Sequence, residues 1–99
     1  MERKSIMCEN SIEKRFVTEV ERVGGWCLKL PAIHNAGLPD RLCLFPGGEV
    51  VFVELKAFGK KPRKIQILMH QKLKAMGFRV EVIDTTVGCK MLALEYDRK

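Results

Sequence analysis

Two acids and an amine converge in the middle of this chain. Asp40 follows Pro39, and Glu54 and Lys56 close "VVFVELK" (residues 50–56), the most hydrophobic run in the sequence. A charge taken out of water costs several kcal/mol unless it is paired, hydrogen-bonded or bound to a metal. Either the end of this strand is exposed, or the two charged groups have a task there.

Hairpin counting brings Asp40 to them. The runs "DRLCLF" (40–45) and "EVVFVELK" (49–56) flank Pro46-Gly47-Gly48, where both glycines are free to take positive φ. With a three-residue turn, Phe45 faces Glu49, opposed positions sum to 94, and Asp40 stands across from Glu54. Alternation at period two puts Lys56 on the same face, just beyond. Directly opposed residues have Cβ atoms about 4.5–5.5 Å apart, so the two carboxylates repel unless a cation intervenes. Lys56 meets part of that need. A divalent metal meets it more fully, because Mg²⁺ takes one or two carboxylates and keeps waters or phosphate oxygens on its remaining positions. Taken singly, each of these charges is an ordinary solvated rim residue. Together they form an acid–acid–amine cluster at the open end of a hairpin.

A basic loop follows at once. "KAFGKKPRK" holds five cations, Lys56, Lys60, Lys61, Arg63 and Lys64, and no acid. The net charge of +6 favours polyanions, since neutralising phosphates releases condensed counterions. Lys29, at the end of the first predicted strand, is a further candidate for phosphate contact.

The elements that must position these groups are legible from periodicity. Residues 11–23 space Ile12, Phe16, Val20 and Val23 at helical intervals, with Ser11 as the expected cap and Gly24-Gly25 as the stop. Residues 26–30 alternate as a short strand, and 32–39 read as a loop. After the hairpin, Ile65, Leu68, Met69, Leu73 and Met76 mark a helix ended by Gly77. Residues 78–84 alternate again, and the tail from 85 reads equally as a last helix or an edge strand. The order is α-β-β-β-α-β, a mixed α/β domain whose central mixed sheet is flanked by helices, spanning 1–99 as one unit.

Composition agrees with one globular core: 99 residues, 46% hydrophobic and 30% charged. No apolar run approaches the ~20 residues of a membrane span, and the N-terminal segment has no continuous hydrophobic stretch, so a cytoplasmic protein is expected. Cys8, Cys27, Cys43 and Cys89 are widely spaced, with no CxxC pair. Neither His34 nor His70 supplies zinc-ligand spacing.

Pro39-Asp40, thirteen intervening residues and Glu54-Leu55-Lys56 resemble the PD-(D/E)xK motif of the restriction-endonuclease-like superfamily. "GLPDRL", "GGEVVFVELK" and "QILMHQKLKAMGFRVEV", in that order, resemble its virus-type replication-repair branch, VRR-NUC, from about Ile12 to Asp84. The resemblance implies a restriction-endonuclease-like core. It also implies a Mg²⁺- or Mn²⁺-dependent DNA endonuclease of phage or bacterial replication and repair, acting on branched, flap or junction DNA and working as a homodimer. It places Glu13, Asp40, Glu54 and the Leu55 carbonyl on the metal, Lys56 as the motif lysine and Gln66 beside the active site. Lys29, Lys60, Lys61, Arg63 and Lys64 fall to DNA contact. Met69 stands where the branch often has tryptophan, a packing difference. His70 shares the helix with Gln66 and is a candidate general base, although a lone histidine is more often structural. Two readings compete: a non-catalytic basic nucleic-acid-binding module, and a protein-binding scaffold that would need an exposed apolar patch.

Overall fold

The computed structural model describes residues 8–31 and 36–97, so His34 and the first half of the 32–39 loop lie outside the described residues. Helix α1 (Glu9–Arg22) buries Ile12, Phe16 and Val20 at successive turns. It begins three residues earlier than the Ser11 cap implies. Cys8 is the N-cap without a side-chain hydrogen bond, and Ser11 lies in the first turn with its Oγ 3.2 Å from Cys8 Sγ. Glu9 supplies the negative charge that a helix N-terminus favours.

Strands β1 (Trp26–Lys29), β2 (Arg41–Phe45) and β3 (Glu49–Leu55) run antiparallel, in the order of the chain. The hairpin register is the expected one, from Phe45 opposite Glu49 to Arg41 opposite Val53. Its turn uses positive φ at Gly47 (92°) and Gly48 (81°). Helix α2 (Lys64–Ala75) then crosses over, and β4 (Arg79–Ile83) pairs parallel to β3, giving a mixed four-stranded sheet. The tail resolves as helix α3 (Thr86–Leu94), started by Thr85, whose side chain accepts the Gly88 N–H at 2.9 Å. Cys89, Leu92 and Ala93 form its buried face.

Residue parity divides the sheet into two environments. Cys43 and Phe45 of β2 and Val51, Val53 and Leu55 of β3 face α1 and α3, and form one core with Ile12, Phe16, Val20, Ile83, Cys89 and Leu92. The alternate residues face α2, where Phe52 meets Phe78 edge-on at 5.5 Å. Beyond α3, Tyr96 stacks on Phe45 with centroids 4.2 Å apart and accepts a hydrogen bond from Arg79, fastening the C-terminal end to β4. Among the described residues, no helix is long and apolar enough to cross a membrane.

Gly77 ends α2 at φ +94°, and a Cβ there would meet nothing within 4 Å. Its substitution therefore tests backbone conformation alone. Gly77→Ala should lower stability by about 1 kcal/mol and Gly77→Asn by less. Urea denaturation should show this as a lower midpoint with an unchanged slope.

Candidate active site

Asp40 sits in a bend at the mouth of β2 and ties three strands together. Its carbonyl accepts the Leu30 N–H at 2.8 Å, and its Oδ2 accepts the Leu55 N–H at 2.9 Å. The residue opposite Glu54 thus turns one carboxylate oxygen to the β3 backbone. No hydrogen bond from a described residue engages the other.

Glu54 is only 1% exposed. Its Oε2 accepts a hydrogen bond from Gln66 Nε2 at 2.8 Å and lies 3.6 Å from the ammonium of Lys56, itself mostly buried. Its Oε1 faces His70 Nε2 at 3.9 Å, and neither of these two buried atoms has a hydrogen-bond partner among the described residues. Burial, reinforced by the charge of Asp40, pushes the Glu54 carboxyl up to about 7. Burial and then the charges of Lys74 and Lys56 hold His70 below the ordinary histidine range.

Helix α2 delivers Gln66 and His70 four residues apart, hence on one face. Gln66 Oε1 accepts the Arg63 N–H at 2.7 Å, which leaves the amide nitrogen to point at Glu54. Gln66 lies beside the acids, as the resemblance implies, and its contact is with Glu54 itself.

Glu13 lies elsewhere. Its Oε2 accepts from Arg41 Nη2 at 2.5 Å and is 3.9 Å from Lys29 Nζ. The cause is parity: Arg41 follows Asp40 and so points to the α1 face, away from Glu54. Lys29 and Arg41 are direct cross-strand partners, an unfavourable juxtaposition of like charges that the Glu13 carboxylate relieves. Among the described residues, no group of three His, Cys, Asp or Glu side chains is placed to share an ion. Of the α1 carboxylates it is Glu9 whose charge raises Glu54. Sequence reading passed over Glu9 because it precedes the expected helix start, although it lies one turn before Glu13 on the same face.

Lys60, Lys61, Arg63 and Lys64 are exposed on the connection from β3 to α2, which Gly59 anchors by donating its N–H to Asp84 Oδ2 at 3.0 Å. Lys29 is exposed on the α1 side of the same sheet end. Between them the oxygen donors of Asp40 and Glu54 suit a hard divalent cation. The unpartnered, buried Oε1 of Glu54 is the kind of atom such a cation would satisfy.

A protein from Acyrthosiphon pisum secondary endosymbiont phage 1, named "Putative nuclease p44", is 44% identical over 77 residues, covering 78% of this chain and 83% of its own. A solved structure described as a VRR_NUC domain superposes with a TM-score of 0.81 at 29% identity, covering 89% of this chain and 96% of the other. No protein-family model matches. Fold, site and relatives agree on the class: this is a nuclease domain. More narrowly, the chain belongs to the VRR-NUC family.

The elevated Glu54 pKa has a sign that can be checked. A carboxyl at about 7 when folded and near 4.5 when unfolded binds its proton more tightly in the native state, so stability falls as pH rises between those values. In EDTA the loss should be at most about 3.5 kcal/mol, from roughly 1.4 kcal/mol per pKa unit. Glu54→Gln should flatten this part of the pH–stability curve. It should also leave the metal-free protein more stable than wild type at pH 8, measured by denaturant titration.

Proposed function

We propose that this chain is a divalent-metal-dependent DNA endonuclease, selective for branched, flap or junction DNA and active as a homodimer in phage or bacterial replication or repair. The supporting observation is the meeting of Asp40, Glu54 and a mostly buried Lys56 at one sheet end, with a buried Glu54 oxygen left unpartnered. Hydrolysis of a phosphodiester needs a nucleophilic water, neutralisation of growing negative charge and help for the departing oxygen.

Asp40, Glu54 and the Leu55 carbonyl are the groups that would hold Mg²⁺ or Mn²⁺, which when bound polarises a phosphate oxygen and acidifies a water. Lys56 sets a point charge against the phosphoryl oxygens or the attacking water. Gln66 acts through Glu54: with its amide fixed by the Arg63 N–H, it holds Oε2 and leaves Oε1 for ligation. Glu13 meets Arg41 and Lys29 through Oε2 alone. In the present arrangement it steadies those two cations.

Lys60, Lys61, Arg63 and Lys64 grip backbone phosphates on one side of the site. On the other side, Lys14, Thr18, Lys29 and Arg41 line a hollow of about 530 Å³ against α1, together with the acid Glu13, and its excess of cations suits a second stretch of backbone. Such contacts fix position without reading bases, so recognition follows DNA shape. Two sites related by a two-fold axis would address both strands of a junction.

Lys56→Ala should reduce cleavage of a labelled panel of branched and linear DNAs by at least about 100-fold, the scale of losing an electrostatic stabiliser, while DNA binding survives. Equal loss of both in a folded variant would count against a catalytic lysine, and cleavage that persists in EDTA would remove the metal. Asp40→Asn and Glu54→Gln should each weaken Mn²⁺ binding in a calorimetric titration. Neutralising Lys60, Lys61, Arg63 and Lys64 together should flatten the dependence of DNA affinity on salt, by a slope of roughly 0.9 for each duplex phosphate contact removed.

A further inference from the structure

Two cysteines sixteen positions apart meet across the sheet. Cys27 and Cys43 are direct partners in the β1–β2 ladder. The bond from Leu30 N–H to the Asp40 carbonyl marks Leu30–Asp40 as a hydrogen-bonded pair. Because such pairs alternate along an antiparallel ladder, Leu28–Leu42 is hydrogen-bonded, and Lys29–Arg41 and Cys27–Cys43 are not. At a non-hydrogen-bonded pair the Cα atoms lie about 4.5 Å apart, inside the range of about 4.4–6.8 Å that a disulfide spans. Both side chains share the α1 face: Cys43 is fully buried in the core, and Cys27, half-buried, packs against it.

The thiols also differ chemically. The Cys43 thiol beside it, and then the Arg41 charge, hold the Cys27 thiol below its usual range against the opposing effect of burial. The same proximity, with burial, pushes Cys43 up. Cys89 is buried, and its thiol donates to the Ile12 carbonyl at 3.6 Å.

We propose that Cys27 and Cys43 are a redox-active dithiol, whose co-substrate is a low-molecular-weight disulfide and whose product is a cross-strand disulfide within the β1–β2 hairpin. The more exposed Cys27 thiolate attacks one sulfur of the external disulfide, forming a mixed disulfide and expelling one thiolate. Cys43, its proton released to solvent, then attacks Cys27 Sγ and expels the second thiolate. Two electrons pass from the protein to the external disulfide, and an external dithiol reverses the exchange. The new bond closes a loop that contains Lys29, Asp40 and Arg41, one rung from the Glu13 ion pairs.

The test uses the full chain and a Cys8→Ser variant, which removes the exposed thiol, each incubated with oxidised glutathione and quenched in acid. In the variant, intact mass should fall by about 2 Da, the two hydrogens lost to the disulfide, and thiols titrated after denaturation should drop from three to one. Unreduced tryptic digestion, cutting at Lys29 and Arg41, should join the peptides carrying Cys27 and Cys43, and dithiothreitol should separate them. With Cys43→Ser, the reaction should stop at glutathione on Cys27. The wild-type peptide map stands without that variant, should its core pack poorly. A lasting glutathione adduct on Cys27 with no 27–43 link, a link through Cys89, or an unreactive Cys27 would each overturn the proposal.

Discussion

The hydrogen bond from Gln66 Nε2 to Glu54 Oε2 joins the helix on one face of the sheet to the carboxylate that the sheet buries. It is set at both ends. The Arg63 N–H, one of the donors a helix start leaves unsatisfied, occupies Gln66 Oε1, and the amide can then offer only its nitrogen to Glu54. A single glutamine thus begins α2 and orients the acid. The cost of taking Glu54 out of water is met only in part by this bond and by Lys56, and among the described residues its other oxygen has no hydrogen-bond partner, nor has the facing His70 Nε2. Such an arrangement makes poor sense as a device for stability.

The sheet sorts charges by parity as strictly as it sorts hydrophobes. Asp40 and Glu54 fall on the face that α2 covers, while Arg41 and Lys29 fall on the face of α1 with Glu13 as their counter-ion. Acidic and basic functions therefore share one sheet end without neutralising each other. The sheet stands between two groups of opposite sign that would otherwise collapse together. Lys56 is the exception, a cation on the acidic face, and its mostly buried ammonium is held against Glu54.

How much of this was legible in the sequence depended on the range of the rule involved. The hairpin register could be counted because a three-residue turn and period-two alternation are local, and Phe45 opposite Glu49 fixes every rung down to Arg41. The mixed sheet and its helices followed from the same periodicities. The tail could not be settled, because its choice between helix and strand rests on tertiary burial of Cys89 and Leu92. The position of Glu13 was hidden for another reason. A helix pattern shows which residues share a face but not which side of the sheet that face reaches, and the like charges at Lys29 and Arg41 that claim Glu13 adjoin only after β1 and β2 pair. Spacing along the chain likewise argued against any relation between Cys27 and Cys43, because cross-strand neighbours carry no linear signature.

The parallel pairing of β3 with β4 has a consequence for how the molecule assembles. The three antiparallel strands are consecutive and joined by short connections, so the two acids can approach each other through contacts of modest sequence separation. Gln66 and His70 reach Glu54 only when α2 packs down and β4 docks, which closes a loop from Leu55 to Arg79. Loop-closure entropy must be met before such non-local pairing is rewarded. A nascent or partly folded chain accordingly carries its carboxylates solvated and ordinarily acidic. The buried, proton-holding state of Glu54 arrives with the last strand, because only the finished sheet takes its carboxylate out of water.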